Sequence, residues 1–494
     1  MVHLIVELSK YALIILFSVY TYECFSVFRN ISERKQEKKF KRQARILYVI
    51  HFTAYVVIFA VTEDAYTFIF YLAQIILLVV VRNVYKLCYP KASRLLVNNM
   101  CMLMIIGFII LTRLNFGHAI KQFAIAAVSC VISLVIPVMI RRMGFFRNLT
   151  WIYAAIGIVG LGIVCIAGST SYGAKISFTI AGITVQPSEF IKILFVFFVA
   201  AMYHKSTEFR QVVITTLIAA LHVLILVLSR DLGGALIFFV AYMAMLYVAT
   251  RKPLYFAGGL LAGSVAAVIA YKLFNHVRVR VVAWKTPLKV IDKEGYQICQ
   301  SLFAIGTGGF FGLGLYQGMP DKIPVVEQDF IFAAISEELG GMFALCLILV
   351  CVSCFLMFLN IAMQLKDSFY KLVALGLGTI YGFQVFLTIG GVTKFIPSTG
   401  VTLPLISYGG SSILSTLIMF AIIQGLYIMR QDEEGELNEQ KNRGRKQKKN
   451  DRTKKNSSRK PKNKSGQTGY RGHESGPERN GTSSQFNEEI EEIW

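Results

Sequence analysis

Apolar stretches longer than about 18 residues recur along most of this chain, and a helix of that length crosses the hydrocarbon core of a bilayer. Apolar residues make up 55% of the 494 residues and charged residues only 16%. The mean hydropathy is +0.56, and such a composition excludes a soluble globular fold. The sequence therefore predicts an all-α, polytopic membrane protein.

The distribution of basic residues predicts the orientation of the helices, because loops rich in Lys and Arg are retained in the cytoplasm. About thirteen apolar segments are long enough to cross the membrane. The first, Tyr11 to Phe28, lacks the basic start and the cleavage site of a signal peptide, and the basic stretch Arg29 to Arg45 follows it. We expect the amino terminus outside and, after an odd number of spans, the carboxyl terminus in the cytoplasm.

The excess of positive charge lies mainly beside membrane helices. The net charge is +22, and much of it falls in residues 29–45 and in the tail, residues 431–494. The tail has no apolar periodicity, which predicts a disordered cytoplasmic segment. Anionic lipid of the inner leaflet is its first expected partner and a cytoplasmic protein its second, whereas nucleic acid is not expected.

A long polar loop, residues 275–329, does not follow the charge pattern. The predicted orientation puts this loop outside, where basic residues are disfavoured. The loop nevertheless contains six of them: Arg278, Arg280, Lys285, Lys289, Lys293 and Lys322. These cations are expected to have an external role, and a phosphate-bearing lipid of the outer leaflet would fit it.

The end of this loop carries a single carboxylate at the point where the chain enters an apolar helix. The segment Pro324 to Gly340 reads PVVEQDFIFAAISEELG and contains Asp329. An acid at a water–membrane boundary, next to basic residues, is a candidate catalytic group. The same position suits a carboxylate that only caps the helix start. The residues alone leave both interpretations open.

Other polar residues lie at the edges of apolar segments. Glu189 and Lys192 are three residues apart in a predicted helix, so they share a face and can pair, either to lock helices together or to contact a substrate. Asp231 follows Arg230 at the outer end of a span. It is either neutralised by that arginine or exposed to a polar cavity.

Three basic residues are candidates for binding phosphate. Arg278 and Arg280 alternate in HVRVRVVAW, which puts both on one side if the segment is extended. Guanidinium groups bind phosphate oxygens in pairs, but solvated loop charges or tethers to lipid phosphates would look the same. Lys394 lies where the chain returns to the membrane and is a weaker candidate.

Four segments together resemble a known family. They are QPSEFIK (Gln186 to Lys192), RDLGGAL (Arg230 to Leu236), the run from GYQICQ to SEELG (Gly295 to Gly340) and FIPSTGVTLPLISYGGSS (Phe395 to Ser412). In this order they resemble the SEDS proteins of shape, elongation, division and sporulation, such as FtsW and RodA. Several long motifs in register are more specific than any single short motif.

The resemblance implies a ten-helix core over residues 96–430, preceded by a three-helix membrane extension over residues 1–95. It implies that the chain polymerises lipid II, an undecaprenyl-pyrophosphate-linked disaccharide peptide, on the outer face of the bacterial cytoplasmic membrane. It also implies a partner, a class B penicillin-binding protein that cross-links the new strands. The motifs are shared among division, elongation and sporulation members, so they do not distinguish these roles.

The resemblance also implies roles for particular residues. The aspartate of the family's DFIF motif, thought to be essential for polymerisation, falls on Asp329 and makes it the expected base of an inverting glycosyl transfer. The expected substrate-binding residues are Gln186, Ser188, Glu189, Lys192, Asp231, Arg278, Arg280 and Lys394. A divalent cation, Mg²⁺ or Mn²⁺, is expected to be held largely by the substrate pyrophosphate.

The chain departs from the family pattern just before the expected base. The usual PE-x-x-T-D is replaced by PVVEQD, so Glu327 and Gln328 are new neighbours that could change the pKa of Asp329. Two other function classes stay open at this point, a lipid II flippase or other transporter and a non-catalytic scaffold for cell-wall enzymes.

Overall fold

The computed structural model describes residues 2–27, 32–142, 144–171, 174–180 and 183–457. The chain divides into two units, Met1–Gly435 and Glu436–Trp494. The membrane helices and all the candidate site residues lie in the first unit. The all-α class predicted from the sequence is confirmed.

Fifteen helices follow one another along the described residues. They are α1 (Val2–Ser26), α2 (Glu33–Thr62), α3 (Ala65–Cys88), α4 (Arg94–Leu114), α5 (Phe116–Arg142), α6 (Thr150–Ala167), α7 (Ser188–Lys205), α8 (Phe209–Leu228), α9 (Leu232–Thr250), α10 (Pro253–Leu273), α11 (Asn275–Lys285), α12 (Tyr296–Gly308), α13 (Ile331–Gln364), α14 (Ser368–Val392) and α15 (Gly410–Ser457).

Twelve helices in the described part of the chain are long and apolar enough to cross a membrane. They are α1 to α6, α8 to α10 and α13 to α15, and each overlaps a span predicted from the sequence. The remaining predicted span is α7, whose central residues are buried but whose length includes the charged residues Glu189, Lys192 and Lys205. The ten helices α4 to α10 and α13 to α15 form the core, and α1 to α3 precede it.

Two helices extend well beyond their apolar segments. Helix α2 begins at Glu33, inside the basic stretch before Ile46, and α15 continues past Arg430 to Ser457. Lys, Arg, Gln and Glu are good helix formers, so a polar sequence can prolong a helix that an apolar segment has already nucleated. The tail therefore differs from the expected disorder as far as Ser457, and residues 458–494 lie outside the described residues.

The three N-terminal helices pack on the core rather than standing apart from it. Helix α1 contacts α13, α2 contacts α4, and α3 contacts α5. The rings of Phe17 and Phe343 are 4.3 Å apart, and the Tyr20 hydroxyl donates to Asn99 Oδ1 at 2.9 Å. This extension thus touches the helix that begins just after Asp329.

Between α6 and α7, three short strands form a small antiparallel sheet. They are β1 (Ser169–Ser171), β2 (Ala174–Ile180) and β3 (Ile183–Val185), in the order β1-β2-β3. The polar loop 275–329 is also ordered, since it contains α11, α12 and two short 3₁₀ helices, Pro287–Val290 and Pro320–Lys322. Helix α12 packs on α13, and its Ser301 donates to the carbonyl of Val392 at 2.9 Å.

Helix α13 is broken at Gly340, which has φ 87° and ψ 165°. The break frees the carbonyls of Glu337 and Glu338, which accept from Leu313 and Gly314 at 3.0 and 2.8 Å. On the other side of the break, the amides of Gly341 and Met342 donate to the carbonyls of residues 309 and 310 at 2.8 and 3.1 Å. Non-helical backbone is tolerated at membrane depth only when its polar groups are satisfied in this way.

Replacing Gly340 with alanine is expected to destabilise the protein by about 3 kcal/mol or more, because only glycine adopts this conformation readily. An added Cβ would also lie 2.4 Å from the amide nitrogen of Gly312. The change should appear as a lower unfolding temperature in detergent. Gly306→Ala is the matched control, since a Cβ there meets nothing within 4 Å. Equal stability of the two variants would contradict this account of the break.

Candidate active site

Asp329 lies at the end of the polar loop, two residues before the start of α13. The N-cap position of α13 is Phe330 and not Asp329. The Asp329 side chain is half-buried and directed towards Gly400, where an ideal Cβ would lie 3.8 Å from Asp329 Oδ2. The carboxylate therefore faces a neighbouring loop instead of capping its own helix.

Arg280 of α11 approaches the same glycine. Its Nη2 would be 3.7 Å from a Cβ on Gly400, and its Nη1 donates to the Ser398 carbonyl at 3.0 Å. Gly400 has φ 73°, a left-handed conformation that favours glycine. The carboxylate of Asp329 and the guanidinium of Arg280 therefore both lie beside Gly400.

Burial raises the pKa of Asp329 to about 6, and the positive charge of Arg280 opposes this rise. A carboxylate with this pKa is mostly ionised at neutral pH and is more basic than an ordinary aspartate. Glu327 is not among the causes of the shift. Glu327 Oε2 instead pairs with His118 Nδ1, and an effect of Glu327 or Gln328 on the pKa of Asp329 stays a prediction.

The two arginines of HVRVRVVAW do not point to the same place. The segment is the helix α11 and not an extended strand, so residues two apart lie on nearly opposite sides. Arg280 is half-buried towards Asp329, whereas Arg278 is exposed. The prediction that both lie on one side is wrong, and Arg280 is the arginine that the fold brings to Asp329.

Asp231 lies at the start of α9 and contributes to the same polar region. Its Oδ1 accepts from the Gly234 amide at 2.8 Å, and its Oδ2 accepts from the Ser188 hydroxyl at 3.3 Å. Gln186 Nε2 donates in turn to Ser188 Oγ at 3.1 Å. Burial raises the pKa of Asp231; the charge of Glu189 adds to the rise, and that of Arg280 opposes it.

Glu189 and Lys192 form the pair predicted from their spacing. Lys192 Nζ donates to Glu189 Oε2 at 2.6 Å and to Gln384 Oε1 of α14 at 2.9 Å. The Ser415 hydroxyl of α15 donates to Glu189 Oε2 at 2.7 Å. The pair thus joins three helices, and only 3% of the Lys192 side chain is exposed.

Lys394 lies just after the end of α14. It has φ 60°, and its carbonyl accepts from Trp284 Nε1 at 3.1 Å. Its charge lowers the pKa of Cys299 on α12, against a larger rise from burial. Lys394 therefore lies beside α12, and a role in binding pyrophosphate stays a prediction for it.

Sequence reasoning missed several residues near the site. The imidazole of His118 stacks on Tyr408 with ring centroids 4.4 Å apart, and the Tyr408 amide donates to the Glu327 carbonyl at 2.8 Å. Within the described residues, His276 Nε2 and Thr399 Oγ1 are buried without a hydrogen-bond partner. His276 belongs to the segment HVRVRVVAW and Thr399 to FIPSTGVTLPLISYGGSS. The sequence does not indicate that these polar atoms are buried, because their burial depends on the tertiary structure.

These contacts connect most of the predicted site residues into one polar region. It runs from Lys192 and Glu189 through Asp231 to Arg280 and Asp329, with Gln186 and Ser188 beside Asp231. A basic carboxylate facing a guanidinium group can accept a proton from a hydroxyl while the guanidinium binds an anion.

Comparisons with known proteins agree with the motifs. The family model described as cell cycle protein, covering FtsW, RodA and SpoVE, matches residues 89–432. The peptidoglycan glycosyltransferase RodA of Mycobacterium tuberculosis H37Rv is 38% identical over 271 residues, which cover 52% of this chain and 58% of that protein. The probable peptidoglycan glycosyltransferase FtsW of Bacillus subtilis 168 is 30% identical over 293 residues, 55% of this chain and 72% of that protein.

Two solved structures have the same fold. The first is described as "Structural coordination of polymerization and crosslinking by a peptidoglycan synthase complex". Its TM-score is 0.58 at 21% identity, and the match covers 69% of this chain and 98% of that chain. The Thermus thermophilus rod shape determining protein RodA has a TM-score of 0.52 at 21% identity, over 68% of this chain and 96% of that chain. At these identities the likeness concerns the fold alone.

The family match covers well over half of the chain and includes every candidate site residue. The chain spans only 58% of the length of the mycobacterial RodA proteins that it matches. The chain belongs to the FtsW, RodA and SpoVE family of cell cycle proteins.

Proposed function

We propose that this protein is a peptidoglycan glycosyltransferase that polymerises lipid II into glycan strands on the outer face of a bacterial cytoplasmic membrane. The observation that carries the proposal is the half-buried Asp329 facing Arg280 around Gly400. The names of the RodA and FtsW relatives support the same activity. The region around Asp329 has both groups that such a transfer needs, a base and a cation.

In the proposed reaction, Asp329 takes the proton from the attacking hydroxyl of the acceptor sugar. The hydroxyl oxygen forms a bond to the anomeric carbon of the donor, while the bond from that carbon to the pyrophosphate oxygen breaks. Arg280 stabilises the charge on the departing pyrophosphate. When the pyrophosphate neutralises Arg280, the arginine lowers the pKa of Asp329 less, and the carboxylate becomes a stronger base.

The pyrophosphate of the substrate also determines how a metal ion would be held. Within the described ranges, no group of three or more His, Cys, Asp or Glu side chains is arranged to hold a metal ion. We propose that Mg²⁺ or Mn²⁺ would be held largely by the pyrophosphate, which supplies most of the oxygen ligands. The ion would stabilise negative charge on the leaving group.

Chelation is expected to stop polymerisation if the ion contributes in this way. Treatment with EDTA should abolish glycan product from purified lipid II, and added Mg²⁺ or Mn²⁺ should restore it. Unchanged polymer yield after chelation would contradict the proposed use of a metal ion, and it would leave the role of Asp329 intact.

The proposal requires the end of the bundle that carries Asp329 to face outside. The basic stretch 29–45 and the predicted odd number of spans support this orientation. The partner proposed for the activity is a class B penicillin-binding protein, which would cross-link the strands. The related structure from a peptidoglycan synthase complex supports that choice.

The test is a polymerisation assay with the purified full-length chain, the partner protein and lipid II in detergent. We expect glycan strands that resolve as a ladder on gels and disappear after muramidase treatment. If the chain only moves lipid II between the leaflets of proteoliposomes and forms no polymer, it is a transporter. If it binds the partner but neither polymerises nor moves lipid II, it is a scaffold.

The pH dependence of polymerisation should report the pKa of Asp329. Because the base must be ionised, kcat/KM is expected to rise with pH and to level off above about pH 6. Arg280→Gln removes the positive charge that lowers the pKa of Asp329. In this variant the rising limb of the kcat/KM profile should therefore move to higher pH. Arg278→Gln, an exposed change on the same helix, should leave the limb in place. A limb near pH 4, or one that moves equally in both variants, would contradict the assignment.

A further inference from the structure

A cavity of about 190 Å³ lies among the helices of the N-terminal extension, at some distance from the candidate active site. Its walls come from the first part of α2, the end of α3, the connection that follows α3 and the start of α4. Helices α1 to α3 precede residues 89–432, the part that the family model matches. Half of the residues that line the cavity therefore belong to a region that the family model does not match.

The walls of this cavity are strongly basic. The side chains of Lys41, Arg82, Lys86 and Arg94 line it, and no Asp or Glu is among its lining residues. Glu37 is close by, and its Oε1 accepts from both Lys41 and Arg94 at 3.2 Å. One carboxylate is thus shared by two cations. Among the described residues, no acidic side chain forms a salt bridge with Arg82 or Lys86.

Arg82 is held in place without a charged partner. Its Nη1 donates to the Tyr48 hydroxyl at 2.9 Å, and its guanidinium carbon lies 5.2 Å from the centre of the Tyr48 ring. Both contacts fix the guanidinium and leave its charge uncompensated. A fixed guanidinium fork favours a ligand with paired oxygens, such as a phosphate group.

The cavity lies at the opposite end of the bundle from Asp329. Helix α4 begins at the cavity with Arg94, and near its other end Arg113 donates to Glu338 at 2.8 Å, in the part of α13 that follows Asp329. A helix of this length spans about 30 Å. The cavity and the candidate active site are therefore separated by about the thickness of the hydrocarbon core.

We propose that this cavity binds the phosphate headgroup of an anionic phospholipid from the leaflet opposite Asp329. Basic pockets between membrane helices, at the depth of the headgroups, are suited to such lipids. The phosphate would neutralise Arg82 and Lys86 and connect α2 and α3 to the start of α4. A bound lipid would thereby stabilise the packing of the extension on the core.

The test measures lipid binding by the purified full-length chain in detergent, using native mass spectrometry and the unfolding temperature. We expect phosphatidylglycerol to bind and to raise the unfolding temperature, and phosphatidylcholine to do neither. Lys41→Gln combined with Lys86→Gln should weaken phosphatidylglycerol binding by about tenfold or more. The matched control combines Arg210→Gln with Lys366→Gln, which removes the same charge from exposed residues outside the cavity.

Three results would overturn the proposal. If the control pair weakens binding as much as the cavity pair, only net charge matters. If phosphatidylcholine binds equally well, the phosphate charge is not recognised. If inorganic phosphate or glycerol phosphate protects the chain from unfolding as well as the lipid does, the ligand is a soluble anion.

A second variant keeps the test decisive if the cavity pair does not fold. Arg82→Lys retains the positive charge and removes the guanidinium fork. It is expected to fold and to lose affinity for phosphatidylglycerol, whereas unchanged affinity would contradict the role given to Arg82.

Discussion

Asp329→Asn is expected to lower the rate of glycan polymerisation by about 10²- to 10⁴-fold, the usual contribution of a general base. The amide has nearly the same shape as the carboxylate but cannot accept the proton of the acceptor hydroxyl. It also removes the negative charge that faces Arg280, so substrate can still bind through that arginine. The measurement is the initial rate of strand formation from labelled lipid II with the purified variant and its partner.

The control for Asp329→Asn is Asp292→Asn, which makes the same chemical change at an exposed residue of the same polar loop. It should polymerise at the normal rate. Both variants should also elute as single species and bind the partner, because Asp329 does not cap α13. Full polymerisation by Asp329→Asn would refute the assignment of the base, even if the protein proved to be a polymerase.

Lys192→Met is expected to destabilise the folded protein by about 3–5 kcal/mol, the usual cost of leaving one partner of a buried ion pair unpaired. The change would leave Glu189 with the Ser415 hydroxyl as its remaining close contact and would also take away a donor to Gln384. The unfolding temperature of the purified variant in detergent measures the effect.

Combining Lys192→Met with Glu189→Gln distinguishes the two roles considered for this pair. The double variant has no unpaired charge, so we expect it to recover most of the lost stability. If it also polymerises lipid II, the pair only joins α7, α14 and α15. If it is stable and inactive, the pair contacts substrate. A Lys192→Met protein as stable as the original would contradict the buried ion pair itself.

The membrane helices could be predicted from the sequence because their signal is local. Helix α10, for example, is apolar along almost all of its length, from Pro253 to Leu273. The start of α2 could not be found in this way, because its first turns are polar. These turns are helical because Glu, Lys, Arg and Gln favour the helical conformation. The break at Gly340 was also hidden, because it depends on hydrogen bonds to a loop that is distant in sequence.

The candidate site was only partly predictable for the same reason. Asp329 could be selected as a candidate by its position just before an apolar helix. The spacing of Glu189 and Lys192 correctly predicted their pairing. Arg278 and Arg280 could not be separated, because the choice depends on whether α11 is a helix or a strand. His118 carried no signal, since its partner Glu327 comes from a distant segment.

The broken helix α13 has a mechanical consequence for Asp329. Main-chain bonds tie residues 309–314 to residues 337–342, on both sides of the break. The nine residues from Ile331 to Leu339 are thus held at one end by this loop and begin at the other end beside Asp329. We expect a movement of residues 309–314 to be transmitted through these nine residues towards Asp329.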